Sequence, residues 1–335
     1  MTTGRQAVAA LAAAWLLSAC SVEAAPYYRG VNLAGGEFAP RKLPGEYARD
    51  YIYPDRRVAE PFLEAGMNAV RLPVLWERLQ PEAHGELSAA EMEHLDASLA
   101  ALAGFSLVVL DVHNYARYYR EPLDAEEGAR QLSDLWRRLA QRYADNPRIA
   151  FGIMNEPYGI AATTWRRIAD QVVQTIRATG ADNLILVPGT RWTGGHSWTH
   201  GGGDSNAAAF QGFRDPADNF VYEIHQYLDA DSSGTSQTCV DPATARQRLA
   251  AVSDWLRSEG QRAVLGEFGA AANRDCLAAL DALLTVVEDD RQAWQGWLYW
   301  AGGPWWGDYP MSIQPHDGEP RPQMRIMAQY LDGGD

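Results

Sequence analysis

A chain of 335 residues that is 47% hydrophobic and 21% charged can bury one large core, and α/β barrels of about 250 residues or more fold as single units. Its formal net charge of −14, with no basic cluster to offset it, repels phosphate backbones and argues against a nucleic-acid partner. Twelve Trp and fifteen Tyr are a useful excess: at least half are expected to fill the core, and flat rings exposed in a cleft can stack on the C–H faces of sugars at little cost in rotamer freedom.

The chain opens with an apolar run from Ala7 to Leu17 preceded by a lone Arg5. This run is too short to span a bilayer but has the length of a signal-peptide core. It leads to Leu17-Ser18-Ala19-Cys20, which resembles a bacterial lipobox whose Cys20 becomes the lipid-bearing first residue; two small residues before Cys20 also suit ordinary cleavage. The expected division is a signal peptide over 1–19, a short tether over 20–26 and one catalytic domain over 27–335. Export follows, as an outer-membrane lipoprotein or a secreted protein, with membrane contact only through the lipid. Cys239 and Cys276 then remain. In an oxidising compartment they can form a disulfide, the alternative being two buried thiols. Neither belongs to a CxxC, which argues against zinc.

Beyond residue 26 no linker, repeat or low-complexity segment interrupts the chain. Short apolar or β-branched runs predict strands over Tyr28–Leu33, Ala69–Val74, Ser106–Val112, Ile149–Met154, Leu184–Val187, Phe220–His225, Ala263–Gly266 and Gly296–Trp300. Helices are predicted between them. Ser88–Leu102 starts on a Ser with an acidic residue three positions on, a capping signature. Gln131–Tyr143 sets Leu132, Leu135, Trp136 and Leu139 on one face, and Thr164–Thr179 and Thr244–Ser258 are similar. Eight strands alternating with helices predict a parallel (β/α)₈ TIM barrel in a single domain. No GxGxxG follows the first strand, which removes the usual dinucleotide reading.

Polar residues gather where these strands end: Asn32, Arg71, His113-Asn114, Asn155-Glu156-Pro157, His225-Gln226-Tyr227, Glu267 and Trp300. In a barrel all these ends share one face, where active sites lie. Two Glu ending strands four and seven are the equipment for glycoside cleavage, one acid to protonate the leaving oxygen and one carboxylate to attack. Asn155 beside Glu156 is placed to reach a substrate 2-hydroxyl, so Glu156 reads as the acid/base. Glu267, flanked by Gly266 and Gly269 with Arg71 and Tyr227 as hydrogen-bond donors, reads as the nucleophile. His113 and His225 add polar contacts, and Trp300 forms the floor of the subsite on the non-reducing side. Asn32, Asn114 and Trp192 are further candidate substrate contacts, and Trp198, Trp305 and Trp306 are candidate platforms or packing residues. His196 and His200 have i, i+4 spacing but sit in a Gly-rich loop without an acidic partner, so no metal site is expected. No GxSxG elbow occurs. Two carboxylates suffice for the chemistry, so no cofactor is expected, and a monomer is the default expectation.

On Ile153-Met154-Asn155-Glu156-Pro157, His225-Gln226-Tyr227 and Gly266-Glu267-Phe268-Gly269 the chain resembles glycoside hydrolase family 5, the cellulase-like retaining barrel enzymes, from about Tyr28 to the C-terminus. The resemblance implies functional positions at Arg71, His113, Asn155, Glu156, His225, Tyr227, Glu267 and Trp300, with Glu156 as acid/base and Glu267 as nucleophile. A finer similarity to the endo-β-1,4-glucanase branch rests on Gly30-Val31-Asn32-Leu33-Ala34-Gly35, Arg71-Leu72-Pro73 running to Trp76-Glu77-Arg78, and His225-Gln226-Tyr227-Leu228-Asp229 with Ser233-Gly234-Thr235 and Cys239. In that branch a disulfide in this region is common. The Trp-rich stretch Trp300 to Trp306 departs from the pattern. The implied activity is endo-hydrolysis of cellulose or a related β-glucan with retention, which requires carboxylates about 5–5.5 Å apart and a bell-shaped pH profile. Mannan, xyloglucan or mixed-linkage glucan are the rival substrates, and a non-catalytic carbohydrate-binding barrel is the rival of another class.

Overall fold

The computed structural model describes residues 25–331. The expected signal peptide, the lipid-bearing Cys20 and most of the tether therefore lie outside the described residues. Eight parallel strands close into a barrel, each bonded to its neighbours in sequence and the last to the first. They are β1 (Tyr28–Leu33), β2 (Ala69–Val74), β3 (Leu107–Val112), β4 (Ile149–Gly152), β5 (Ile185–Pro188), β6 (Phe220–His225), β7 (Ala263–Glu267) and β8 (Trp294–Gly302). All eight predicted strands are present. The largest shifts are at β4, which leaves the ladder two residues early, and at β8, which is two residues longer at each end.

Strand alternation divides the side chains into two layers. Ala69, Leu107, Val109, Ala150, Leu186, Val221, Val264 and Leu298 pack together as the apolar filling of the barrel. Val70, Leu72, Val74, Val108, Leu110 and Val112 point the other way, into the larger core shared with the helices. The inward series continues upward from Ala69 to Arg71, from Val109 to Asp111 and from Val221 to Glu223. A dry lower layer therefore supports a charged upper one.

The helices owe their bounds to local signals. Ser88 caps Ala89–Ala101 by accepting from the Glu91 amide, but the capping box is half-formed. The Glu91 carboxylate instead accepts from Tyr51 and Tyr53. Glu127–Tyr143 begins one turn before its predicted start and buries Leu132, Leu135, Trp136 and Leu139. Ala162–Ala178 and Pro242–Glu259 match their predictions within two residues. The latter starts with Pro in its first turn, capped by Asp241, and stops at the left-handed Gly260, the residue and conformation that end helices most readily. Arg56–Glu64, Arg274–Asp289 and Pro322–Leu331 were not predicted.

Cys239 and Cys276 are joined in a disulfide, tying the segment after β6 to the first turn of helix Arg274–Asp289. Among the described residues no helix is long and apolar enough to cross a membrane.

Candidate active site

The centre of the upper barrel is the guanidinium of Arg71, wholly enclosed. One Nη lies 2.8 Å from Glu267 and 2.9 Å from the Asn32 carbonyl oxygen. The other lies 2.7 Å from the Asn155 carbonyl oxygen and 3.0 Å from Asp111, and Nε lies 2.7 Å from Glu223. Burial opposes the Arg71 charge, but Asp111, Glu223 and Glu267 outweigh it and raise its pKa, so the cation persists at any working pH. A planar five-donor fork suits this role; a lysine ammonium could not span three carboxylates. The second oxygen of Glu267 accepts from the Tyr227 hydroxyl at 2.9 Å. Glu267 is therefore held on both oxygens at the tip of β7.

Glu156 follows β4 and accepts at 2.8 Å from His225 Nδ1, while His225 Nε2 faces Glu223 at 3.1 Å. Burial alone would lower the His225 pKa, but Glu267, Glu156 and Glu223 outweigh it and push it up to about 10. His225 is then an imidazolium donating from both nitrogens. On the other side of Arg71, His113 bonds Asp111 through Nδ1 at 2.7 Å and meets the Asn155 amide nitrogen at 3.2 Å. Because Arg71 fixes the Asn155 oxygen, the amide NH₂ must face His113, whose Nε2 accepts. Glu156 has φ of 41°, a left-handed conformation that is uncommon for a side-chain-bearing residue and disfavoured before proline. Two neighbouring loops hold it there: the Tyr115 amide donates to the backbone carbonyl of Asn155 at 3.0 Å and the Trp192 amide to that of Pro157 at 3.1 Å. Glu156, His225 and Glu267 each bring one polar atom within 4.8 Å of the others, and all three line a cleft of about 740 Å³. The same atoms could in principle ligate a metal, but the His225 charge and its proton on the Glu156 side oppose a cation there.

Residues 29–303 match the family described as cellulase (glycosyl hydrolase family 5). The chain belongs to glycosyl hydrolase family 5. An endo-beta-1,4-glucanase B of Emericella nidulans is 34% identical over 291 residues, 86% of each chain. The solved structure of XacCel5A in complex with cellopentaose is 45% identical with a TM-score of 0.89, covering 91% of this chain and 99% of that one. An endo-beta-1,4-glucanase from Xanthomonas axonopodis pv. citri is 44% identical with a TM-score of 0.88, covering 91% and 98%.

The walls of this family 5 cleft are largely aromatic. Trp300 lies 5.5 Å from His113, nearly parallel to it, and meets Trp306 edge-on. At the Glu156 side Trp192 is 53% exposed and stacks at 5.0 Å on Tyr158, whose ring also carries the Arg117 guanidinium. Of the other Trp candidates, Trp198 is core, packed among Phe210, Tyr222 and Trp255. Trp305 is exposed beside Phe38. His196 lines the cleft and bonds Gln226, and among the described residues neither it nor His200 joins a metal-type cluster.

Two expected substrate contacts, Asn32 and Asn114, are engaged within the protein. Asn32 spends its amide on the carbonyls of Gly266, Leu298 and Tyr299 and its oxygen on Arg71. Asn114 accepts from the Trp76 amide and donates to Glu77. Neither lines the cleft, and both are consumed by protein, so they brace the site. Sequence reasoning missed Asp111 and Glu223. Each stands two residues before a site His at the end of its strand, a spacing that puts both side chains on one face. It also missed Tyr115, Tyr309 and the Asp231–Gly234 loop, which line the cleft. Asp229 holds that loop by accepting from the amides of Gly234, Thr235 and Ser236.

Proposed function

We propose that this chain hydrolyses internal β-1,4-glucosidic bonds of cellulose or a related β-glucan with net retention. The observation carrying this reading is the approach of Glu156 and Glu267 oxygens to within 4.8 Å across one cleft. So close an approach of two oxygens fits the about 5–5.5 Å between carboxyl groups used in double displacement. The relatives named above favour a β-1,4-glucan over mannan, xyloglucan or mixed-linkage glucan.

In this reading a Glu267 oxygen attacks the anomeric carbon as the glycosidic bond breaks, and Glu156 gives its proton to the leaving oxygen. Water then adds to the same carbon, leaving its proton on Glu156 and releasing the Glu267 carboxylate. Arg71 and Tyr227 keep Glu267 aimed. Asn155, fixed between Arg71 and His113, stands by the 2-hydroxyl. Trp300 floors the subsite on the non-reducing side, and Trp192 is the platform for the leaving group. Two carboxylates perform every step, so no metal or organic cofactor is invoked. Residues 1–19 direct export, Cys20 carries lipid, residues 20–26 tether the 27–335 domain, and the enzyme acts as a monomer.

The test is release of reducing ends from carboxymethyl-cellulose, mixed-linkage β-glucan and β-mannan by chain lacking residues 1–25, with Glu267→Ala in parallel. Rapid viscosity loss on the cellulose derivative, absent in the variant, is expected. Cleavage of mannan alone would discard the substrate, and no turnover of any polysaccharide by folded protein would favour the non-catalytic barrel.

A further inference from the structure

Glu223 is fully buried in the barrel interior and cannot reach a substrate, yet it touches both halves of the machinery. Its Oε1 lies 2.7 Å from Arg71 Nε and 3.1 Å from His225 Nε2. Arg71 in turn holds Glu267 at 2.8 Å, and His225 holds Glu156 at 2.8 Å. We propose that Glu223 is a positioning residue that joins the nucleophile and the acid/base into one electrostatic unit, along the chain Glu267–Arg71–Glu223–His225–Glu156. This rests on the roles given above to Glu156 and Glu267.

Three observations separate Glu223 from an ordinary buried ion-pair partner. Its second oxygen has no hydrogen-bond partner, so the carboxylate is committed at one atom to two cations. The residue before the nucleophile is kept bare for it: a Cβ on Gly266 would come within 2.5 Å of Glu223 Oε1 and 2.6 Å of its Cγ. Asp111, its counterpart across Arg71, reaches only His113 and through it the amide of Asn155, so that branch ends on a neutral group.

The chemical consequence concerns a proton. Glu156 must keep its proton for the leaving oxygen. A neutral imidazole at 2.8 Å would offer Nδ1 as a competing acceptor, whereas an imidazolium cannot take that proton. The charged and titratable groups around His225 are Glu156 at the end of β4, Glu223 on its own strand, Glu267 on β7 with its Tyr227 donor, and Arg71 on β2 beyond Glu223. Glu223 is the anion that faces Nε2. Burial opposes its charge, but Arg71 and His225 hold its pKa below the usual carboxylate range, so it stays ionised while the site works. Without that anion His225 becomes neutral at lower pH, and when the Nδ1 proton is the one given up the bare Nδ1 shares the proton on Glu156.

The test is Glu223→Gln in the full chain, with Glu223→Asp beside it, assayed across pH on aryl β-cellobiosides with good and poor leaving groups. Glutamine keeps the shape and removes the charge. Expected are KM within about twofold, a kcat fall of about tenfold or more on the poor leaving group, which needs acid assistance, and a smaller fall on the good one. The alkaline limb should move down by about one pH unit or more, with partial recovery in Glu223→Asp. An unmoved alkaline limb with equal losses on both leaving groups overturns the proposal and leaves Glu223 merely structural. Should the variants fail to fold, ¹⁵N-histidine-labelled wild type decides: His225 should show both ring nitrogens protonated at about pH 8, and a neutral ring there overturns it. Glu267→Ala in the same assay keeps the readings apart. Retained turnover would sink the assignment of the nucleophile, whereas a dead Glu267→Ala with an unshifted Glu223→Gln profile sinks only the role of Glu223.

Discussion

Removing the disulfide by Cys239→Ala with Cys276→Ala should destabilise the barrel by a calculable amount. The bond links residues 37 positions apart. For a closed loop of that length the chain-entropy relation gives about 4 kcal/mol. At roughly 2.1 cal/mol/K per residue, a cooperative unit of about 300 residues has an unfolding entropy near 0.6 kcal/mol/K, so the midpoint should fall by about 6 °C. The closed loop contains helix Pro242–Glu259 and strand β7 with Glu267, whereas Arg71 and Tyr227, which hold Glu267, lie outside it. Turnover at 25 °C should therefore change by less than about twofold while thermal resistance drops. Scanning calorimetry at several fixed rates is the assay, because a chain of this size commonly unfolds irreversibly and its midpoint then depends on rate. A midpoint within about 1 °C of wild type would refute the reasoning, since the crosslink would then not be limiting the unfolded chain.

Trp192→Ala should raise KM for cellopentaose roughly fivefold or more, about 1 kcal/mol of lost ring contact; an unchanged KM would place the ring outside the cleft's sugar path. Arg71→Lys should lower kcat by about a hundredfold or more and reduce stability by several kcal/mol, because one ammonium leaves buried carboxylates uncompensated; kinetics and urea unfolding read the two losses separately. His225 titrates higher in the folded state than the about 6.5 of an unfolded histidine. Its contribution to stability is therefore complete below about 6.5 and is lost as pH rises through about 10, so the urea midpoint should decline across that window, and a flat midpoint would show that the imidazolium is not held. EDTA should leave activity intact, and loss restored by added metal would overturn the carboxylate-only mechanism.

The barrel was legible because eight short apolar runs alternate with longer amphipathic ones. The elements that escaped did so for physical reasons. Arg56–Glu64 carries Pro61 within it, which masks a helix to any reading by propensity. Arg274–Asp289 buries Ala279, Leu280, Ala282, Leu283 and Leu284, an almost unbroken apolar run that blurs the helical period. Within the site, the strand-end positions were readable but not what each touches. A polar residue at a strand end, such as Asn32, looks available to substrate. The carbonyls that consume its amide belong to β7 and β8, more than two hundred residues away. Asp111 and Glu223 sit one alternation below the rim, where the pattern alone does not distinguish a buried ion from a strand residue facing solvent.

The suspension of Glu156 between two loops bears on how such a barrel can be altered. The carbonyl of the residue before it is gripped by the Tyr115 amide and that of the residue after it by the Trp192 amide, and the side chains of those same two residues line the cleft. Grafting either loop from a relative to change which sugars are accepted would also re-aim the proton donor. Selectivity and speed are mechanically linked here, and productive exchanges should travel in pairs, with the loops after β3 and β5 replaced together.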